Sequence, residues 1–229
     1  MKGYKLATWV GAAAIILAAC GDDPVEPAIT SNDGGTGTQT MSVTADIDAE
    51  NVPGGFVTDF DVSLRDDQGN SISGATVTIV NGTLGTINLL EDGAGSGDYT
   101  ATRNTFAPGD YRLDVTKDAD EVRGVIVGGI DQHSIVSPAA GDTLPANQAF
   151  MVTWSRSAQA AGADVETSDF VAEGVIDSGS YEVPLDFVQP RTDERVRIER
   201  FNRVDIAGGL FGSRLKLSIS NTVEPIVIQ

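Results

Sequence analysis

The chain has 229 residues, with 33 acidic against 15 basic side chains and a formal charge of −18. Nucleic acid and anionic lipid surfaces repel such a molecule, so function classes that rest on phosphate binding by charge are disfavoured. One cysteine excludes an intramolecular disulfide, and stability must come from apolar burial, for which 41% hydrophobic residues suffice to build one core or two small ones.

Met1 to Lys5 carries two lysines and no acid, and Leu6 to Ala19 is almost wholly apolar and ends in small residues. This is the order of an export signal, and its apolar run of about fourteen residues is shorter than the roughly twenty a spanning helix needs. The end of the run, Leu17-Ala18-Ala19-Cys20, resembles the lipobox of bacterial lipoproteins. The resemblance implies cleavage after Ala19 and a diacylglyceryl group on the Cys20 thiol. Two or three acyl chains, at about 0.8 kcal/mol per buried CH₂, hold a protein stably at a bilayer without spanning it. In the sorting pattern that this motif resembles, aspartate after the cysteine favours the inner membrane; Gly21 stands there, which points to the outer membrane. Without residues 1–19 the chain keeps 13 basic residues against 33 acidic ones, a formal charge of −20.

Asp22 to Thr40, DDPVEPAITSNDGGTGTQT, offers almost nothing to bury, and residues 20–40 are expected to be a lipidated flexible tether. As a coil, nineteen residues would hold the first domain about 20–25 Å from the lipid. From Met41 short alternating segments follow, separated by Gly, Asn and Asp. In Phe60-Asp61-Val62-Ser63-Leu64 the apolar residues share one face, as a half-buried strand requires. Strands are predicted at Ala75 to Val80, Gly85 to Leu90, Tyr99 to Arg103, Tyr111 to Thr116 and Val122 to Val127. Their turns include Asp66 to Asn70, Asn81-Gly82, Asp92 to Asp98 and Ala107 to Asp110, rich in residues that tolerate positive φ.

Asp61 to Gly82 and Glu91 to Thr116, with the paired motifs Gly97-Asp98-Tyr99-Thr100-Ala101 and Gly109-Asp110-Tyr111-Arg112-Leu113, resemble bacterial immunoglobulin-like domains of envelope proteins. The resemblance implies a β-sandwich over residues 41–129. Gly128 to Asp131 reads as a joint. Beyond it, His133 to Ser157, with an S-P-x-x-G-x-x-L segment and a V-x-W strand, resembles the opening of fibronectin-type or related immunoglobulin-like modules. Phe150, Val152 and Trp154 alternate with Met151, Thr153 and Ser155, so Trp154 is read as core-facing. Strands are predicted at Ala163 to Phe170, Gly179 to Pro184, Glu194 to Phe201, Arg214 to Ser220 and Val223 to Ile228. The fold class is thus all-β, two tandem immunoglobulin-like sandwiches after a signal peptide (1–19) and tether (20–40), the second over 130–229; a single larger all-β domain is the alternative.

The chemistry is sparse. His133 is the only imidazole, which excludes sites needing two, and its place beside the joint makes it a surface or interdomain residue. Ser213 and Lys216 satisfy S-x-x-K in letters, but three residues apart on a strand they face opposite ways. Asp59 and Asp61 share a strand face, which alone supports no hydrolase. The loop Glu91 to Asp98 holds Asp92 and Asp98 as weak candidate ligands for a hard cation, although a solvated hairpin explains the same composition. No cofactor is implied. Arg195 and Arg197 form a basic stripe on one face of a strand, a weak candidate for an anionic glycan or an acidic partner, while Val196, Ile198 and Arg200 take the other face. Asn81-Gly82-Thr83 has the form of a glycosylation sequon and is read as a turn.

The functional reading is a non-enzymatic, lipid-anchored envelope protein acting in adhesion, scaffolding or recognition. Its partners would be the membrane, through Cys20, and an envelope protein or glycan. The alternative is a carbohydrate- or peptidoglycan-binding module, for which Tyr99, Tyr111 and Tyr181 would have to supply a platform. A carboxylate-dependent hydrolase is a third, weaker reading.

Overall fold

The computed structural model describes residues 32–229; the expected signal segment, Ala19 and Cys20 lie outside the described residues. Alternation of buried and exposed positions, visible in the sequence, becomes sixteen strands. They are β1 (Thr36–Gly37), β2 (Ser42–Val52), β3 (Gly55–Arg65), β4 (Thr76–Asn81), β5 (Gly85–Glu91), β6 (Asp98–Arg103), β7 (Tyr111–Lys117) and β8 (Asp120–Val127). After the joint come β9 (Ile135–Ser137), β10 (Thr143–Leu144), β11 (Phe150–Trp154), β12 (Gly162–Thr167), β13 (Val171–Val175), β14 (Ser180–Val183), β15 (Arg191–Asp205) and β16 (Arg214–Ile228).

In the first half, β2-β3-β6 face β5-β4-β7-β8. That strand order is an immunoglobulin-like sandwich. Tyr111 marks it: at the start of β7, its buried hydroxyl donates back to the Ala107 carbonyl at 2.7 Å, the tyrosine corner of such folds. The second half repeats the order, with β9-β11-β14 opposite β13-β12-β15-β16 and β10 added in parallel to the end of β16. Trp154 is buried there as expected.

The two halves are not merely strung together. β15 and β16 have 15 residues each, about 50 Å of strand, longer than one sandwich needs. Their outer parts serve the second core through Val196, Ile198, Ile226 and Ile228, whereas Leu215, Leu217 and Ile219 lie in the first core. There β16 runs parallel to β2, from Arg214 opposite Thr44 to Ser220 opposite Glu50. The expected division at residues 129 and 130 therefore has an exception, since the hairpin returns from the second half to complete the first core. The segments predicted as separate strands at Arg214 to Ser220 and Val223 to Ile228 are one strand, because Asn221 and Thr222 continue the pairing with β15.

The expected tether also differs over residues 32–40. Asp33 exchanges two backbone hydrogen bonds with Ile126, β1 pairs antiparallel with β8, and Gln39 N–H donates to the Gly208 carbonyl at 3.0 Å. On the other side, Ala207 N–H donates to the Gly34 carbonyl at 2.9 Å. These residues form a strap threaded between β8 and the loop that joins β15 to β16. Glycines on both sides of the contact are there for want of space: a Cβ on Gly37 of the strap would lie 2.4 Å from the Glu121 carbonyl oxygen, and one on Gly208 of the loop 2.3 Å from the Thr36 carbonyl carbon.

Candidate functional site

On the inward face of β15 stand Glu194, Val196, Ile198, Arg200, Asn202 and Val204, with Ile206 just beyond the strand, so that the polar pair Arg200 and Asn202 lies between two apolar stretches. The polar pair lies where the hairpin passes from one core to the other and the joint crosses it. Buried backbone carbonyls need donors. Asn202 Nδ2 donates to the carbonyls of Gly128 (2.9 Å) and Gly129 (3.1 Å), Arg200 Nη1 to that of Asp131 (3.1 Å), and Asn221 Nδ2 of β16 to that of His133 (2.9 Å). Three buried side chains from the hairpin thus hold the joint at four points.

Arg200 is 1% exposed and its charge is met by Asp177, at 0%, through Nε and Nη2 to Oδ2 at 2.9 and 2.8 Å. The same carboxylate accepts from Trp154 Nε1 and from the Ala160 N–H, both at 2.8 Å. Burial works to raise the Asp177 carboxyl, but these donors and the guanidinium prevail, and it is held below the usual carboxylate range. Every hydrogen-bonding demand of the buried ion is answered from a different element: β11, the loop before β12, and β15.

His133, expected on the surface or between domains, is buried at this seam, its Nε2 donating to the Ile198 carbonyl at 3.2 Å. Burial, then the neighbouring Arg200, push its pKa down to about 4 from the ordinary 6.5. The unfolded chain therefore binds the extra proton first, and stability contributed above pH 6.5 is lost as pH falls toward 4, by on the order of 3 kcal/mol. Urea unfolding of His133→Gln between pH 7 and pH 4 is expected to show a shallower loss of stability than the parent chain; equal slopes would refute the assignment.

On the outer face, the predicted stripe is present but occupied. Arg195 and Arg197 both pair with Glu166 of β12; Arg197 Nη2 also meets Glu199 Oε2 at 2.9 Å, and Lys216 Nζ meets Glu199 Oε1 at 2.6 Å. The result is a ladder of alternating charge across β12, β15 and β16. Arg195, Arg197 and Glu166 floor a polar groove of about 810 Å³, walled by the end of β2 with Pro53 (residues 50–53), Ala140 and residues 222–224. It lies across both halves of the molecule, and its guanidinium groups could meet a carboxylate or a sugar hydroxyl only beside their acidic partners.

The other candidates separate. Asp98 is bonded to Arg65 (2.8 Å) and Ser63 (2.6 Å), while Asp92 is exposed. The Glu91 carboxylate accepts from Gly97 N–H of the loop and from Ser73 Oγ and Gly74 N–H of the segment before β4. No group of three or more His, Cys, Asp or Glu side chains suited to a metal occurs among the described residues. Ser213 is buried and its Oγ accepts from Val43 N–H, so it and Lys216 do face apart. Asp59 and Asp61 lie opposite Asp48 and Asp46 on the outer face of β3 and β2; burial and then the surrounding carboxylates raise Asp61. Tyr99 and Tyr111 are interior, Tyr99 Oη donating to the Ile72 carbonyl, so of the three tyrosines only Tyr181, stacked on Phe170, reaches the surface. Asn81 is buried, and its Oδ1 caps its own turn by accepting from Thr83 N–H and Leu84 N–H.

No family model and no curated protein matches the chain. Among solved structures it is similar to the adhesin InvE of Yersinia pseudotuberculosis at 18% identity, covering 80% of this chain and 60% of that one, with a TM-score of 0.28. It is also similar to domains 5–6 of the S-layer protein SbsC, at 18% identity, 81% and 98% coverage and a TM-score of 0.27. The fibronectin(III)-like modules of Clostridium thermocellum CbhA align at 14% identity, 78% and 92% coverage and a TM-score of 0.26. The sandwich assignment rests on the chain's own strand order and tyrosine corner. The chain spans 60% of the adhesin's length.

The polar seam was the element that sequence reasoning did not recognise as a unit. Its one trace in the sequence is the pair Arg200 and Asn202 set between the apolar residues Val196, Ile198 and Val204 of the same strand face.

Proposed function

We propose that the protein is a non-enzymatic, lipid-anchored envelope module whose two sandwiches act as one rigid body for recognition or scaffolding. The observation that carries the reading is the β15–β16 hairpin, which supplies strands to both cores and grips the joint between them. A flexible pair of domains would serve a linker's purpose; a splinted pair fixes the spacing of the loops at its two ends, which is what a scaffold or receptor requires. Residues 21–31 separate Cys20 from the first described residue, a reach of at most about 40 Å from the lipid.

Exchange of Cys20 for serine tests the anchor. The parent chain is expected in the membrane pellet of fractionated cells and the Cys20→Ser chain in the soluble fraction. Sedimentation of both with the membranes would end this reading.

A further inference from the structure

The loop between β15 and β16 is braced at nearly every residue. Ile206 N–H donates to the Ser213 carbonyl (2.9 Å), Ser213 N–H to the Leu210 carbonyl (3.1 Å), and Leu210 N–H to the carbonyl of Met41, between the strap and β2 (2.8 Å). Gly208 and Gly209 have no room for a side chain, and Gly212 closes the loop at φ +88°. From this rigid frame Phe211 stands wholly clear of the surface, with a relative exposure of 107%. It contributes no burial to the fold, and burying the ring in a partner's pocket would contribute about 1.5–3 kcal/mol, at least tenfold in affinity.

Hollows flank the ring. One, of about 620 Å³, is floored by Ile206, Ala207 and Leu210; the other, of about 530 Å³, is bordered by the turn Arg65 to Gly69. A rigid aromatic knob between hollows is the form of an interface anchor, because no loop entropy is lost when it docks. Asp205 lines the first hollow, and Asp66 and Asp67 line the second, whose cation Arg65 is already bonded to Asp98. A second copy would bring the same carboxylates face to face, and an anionic bilayer would meet the same repulsion. From charge complementarity we infer that Phe211 is the anchor of a docking surface for another protein, one that offers an apolar pocket rimmed by lysine or arginine.

This inference deepens the reading of a recognition module, and one experiment separates their failures. The full chain, with p-benzoylphenylalanine at position 211 or, as control, at the exposed Leu90 position, is irradiated in intact cells, which are then fractionated. Expected is a discrete protein adduct from position 211 and not from position 90, mapping to an apolar pocket bordered by basic residues. With that partner purified, Phe211→Ala should weaken binding at least tenfold, and Asp67→Asn with Asp205→Asn should weaken it severalfold and flatten its salt dependence. The inference is overturned by no adduct above the control, by adducts to lipid or to the chain itself, or by unchanged affinity of Phe211→Ala. A chain that sediments with membranes but gives no adduct sinks this inference alone; a soluble chain that still gives the adduct sinks the anchor alone.

Discussion

Replacing Arg200 with methionine is expected to destabilise the fold by about 3–5 kcal/mol, the cost of leaving a buried carboxylate without its cation. Asp177 would keep its bonds from Trp154 and the Ala160 N–H, but its charge would be unmet and the Asp131 and Ala158 carbonyls would lose their donor. Adding Asp177→Leu removes the stranded charge and should restore part of the loss. Recovery stays partial, because the indole and amide donors are then orphaned at about 1–3 kcal/mol each. Chemical denaturation of the two variants checks the order. A single substitution costing under about 1 kcal/mol would mean the pair is solvated in solution and the seam is not what it is described to be.

Gly208→Val, in the loop against which the strap lies, should be the change most damaging to the strap's seat. Its Cβ would fall 2.3 Å from the Thr36 carbonyl carbon and 2.5 Å from Gly37 N, all backbone held by the pairing of β1 with β8. No rotamer relieves a backbone clash, so the strap must leave its groove, and a cost of about 3 kcal/mol, the upper end for over-packing, is expected. Hydrogen exchange should show lost protection at residues 33–39 and in the loop at 206–213, with the second core unaffected. Unchanged protection there would contradict the threaded arrangement.

These two sites also show where the sequence was transparent and where it was not. Phe60 to Leu64, Tyr111 to Val115 and Phe150 to Trp154 announce strands because a half-buried strand must alternate, and the fold class follows from such stretches with their turn residues. Glycine is ambiguous in a way that alternation is not. In Asp33-Gly34-Gly35-Thr36-Gly37 it suggests freedom, yet here it answers crowding, and only the neighbouring backbone distinguishes the two. The shared hairpin was hidden for another reason. Leu215, Leu217, Ile219 and then Ile226, Ile228 read equally as two strands of one sandwich or as one strand in two cores, and the deciding contact is with β2, some 170 residues away. The stripe of Arg195 and Arg197 was legible as charge, but its neutralisation required knowing that β12 places Glu166 beside it. Phe211 was not legible at all, since an apolar residue in a glycine-rich turn gives no sign of which way it points.

The proposed function requires that the hairpin and the polar seam make one rigid body of two sandwiches. It is tested most directly by the distance distribution, from double electron–electron resonance, between spin labels at the exposed strand positions Arg112 of β7 and Glu182 of β14, in a chain lacking residues 1–20. A single narrow distance, broadened by Arg200→Met, is the result expected. A broad or multimodal distribution in the parent chain would contradict the splint and the function proposed from it.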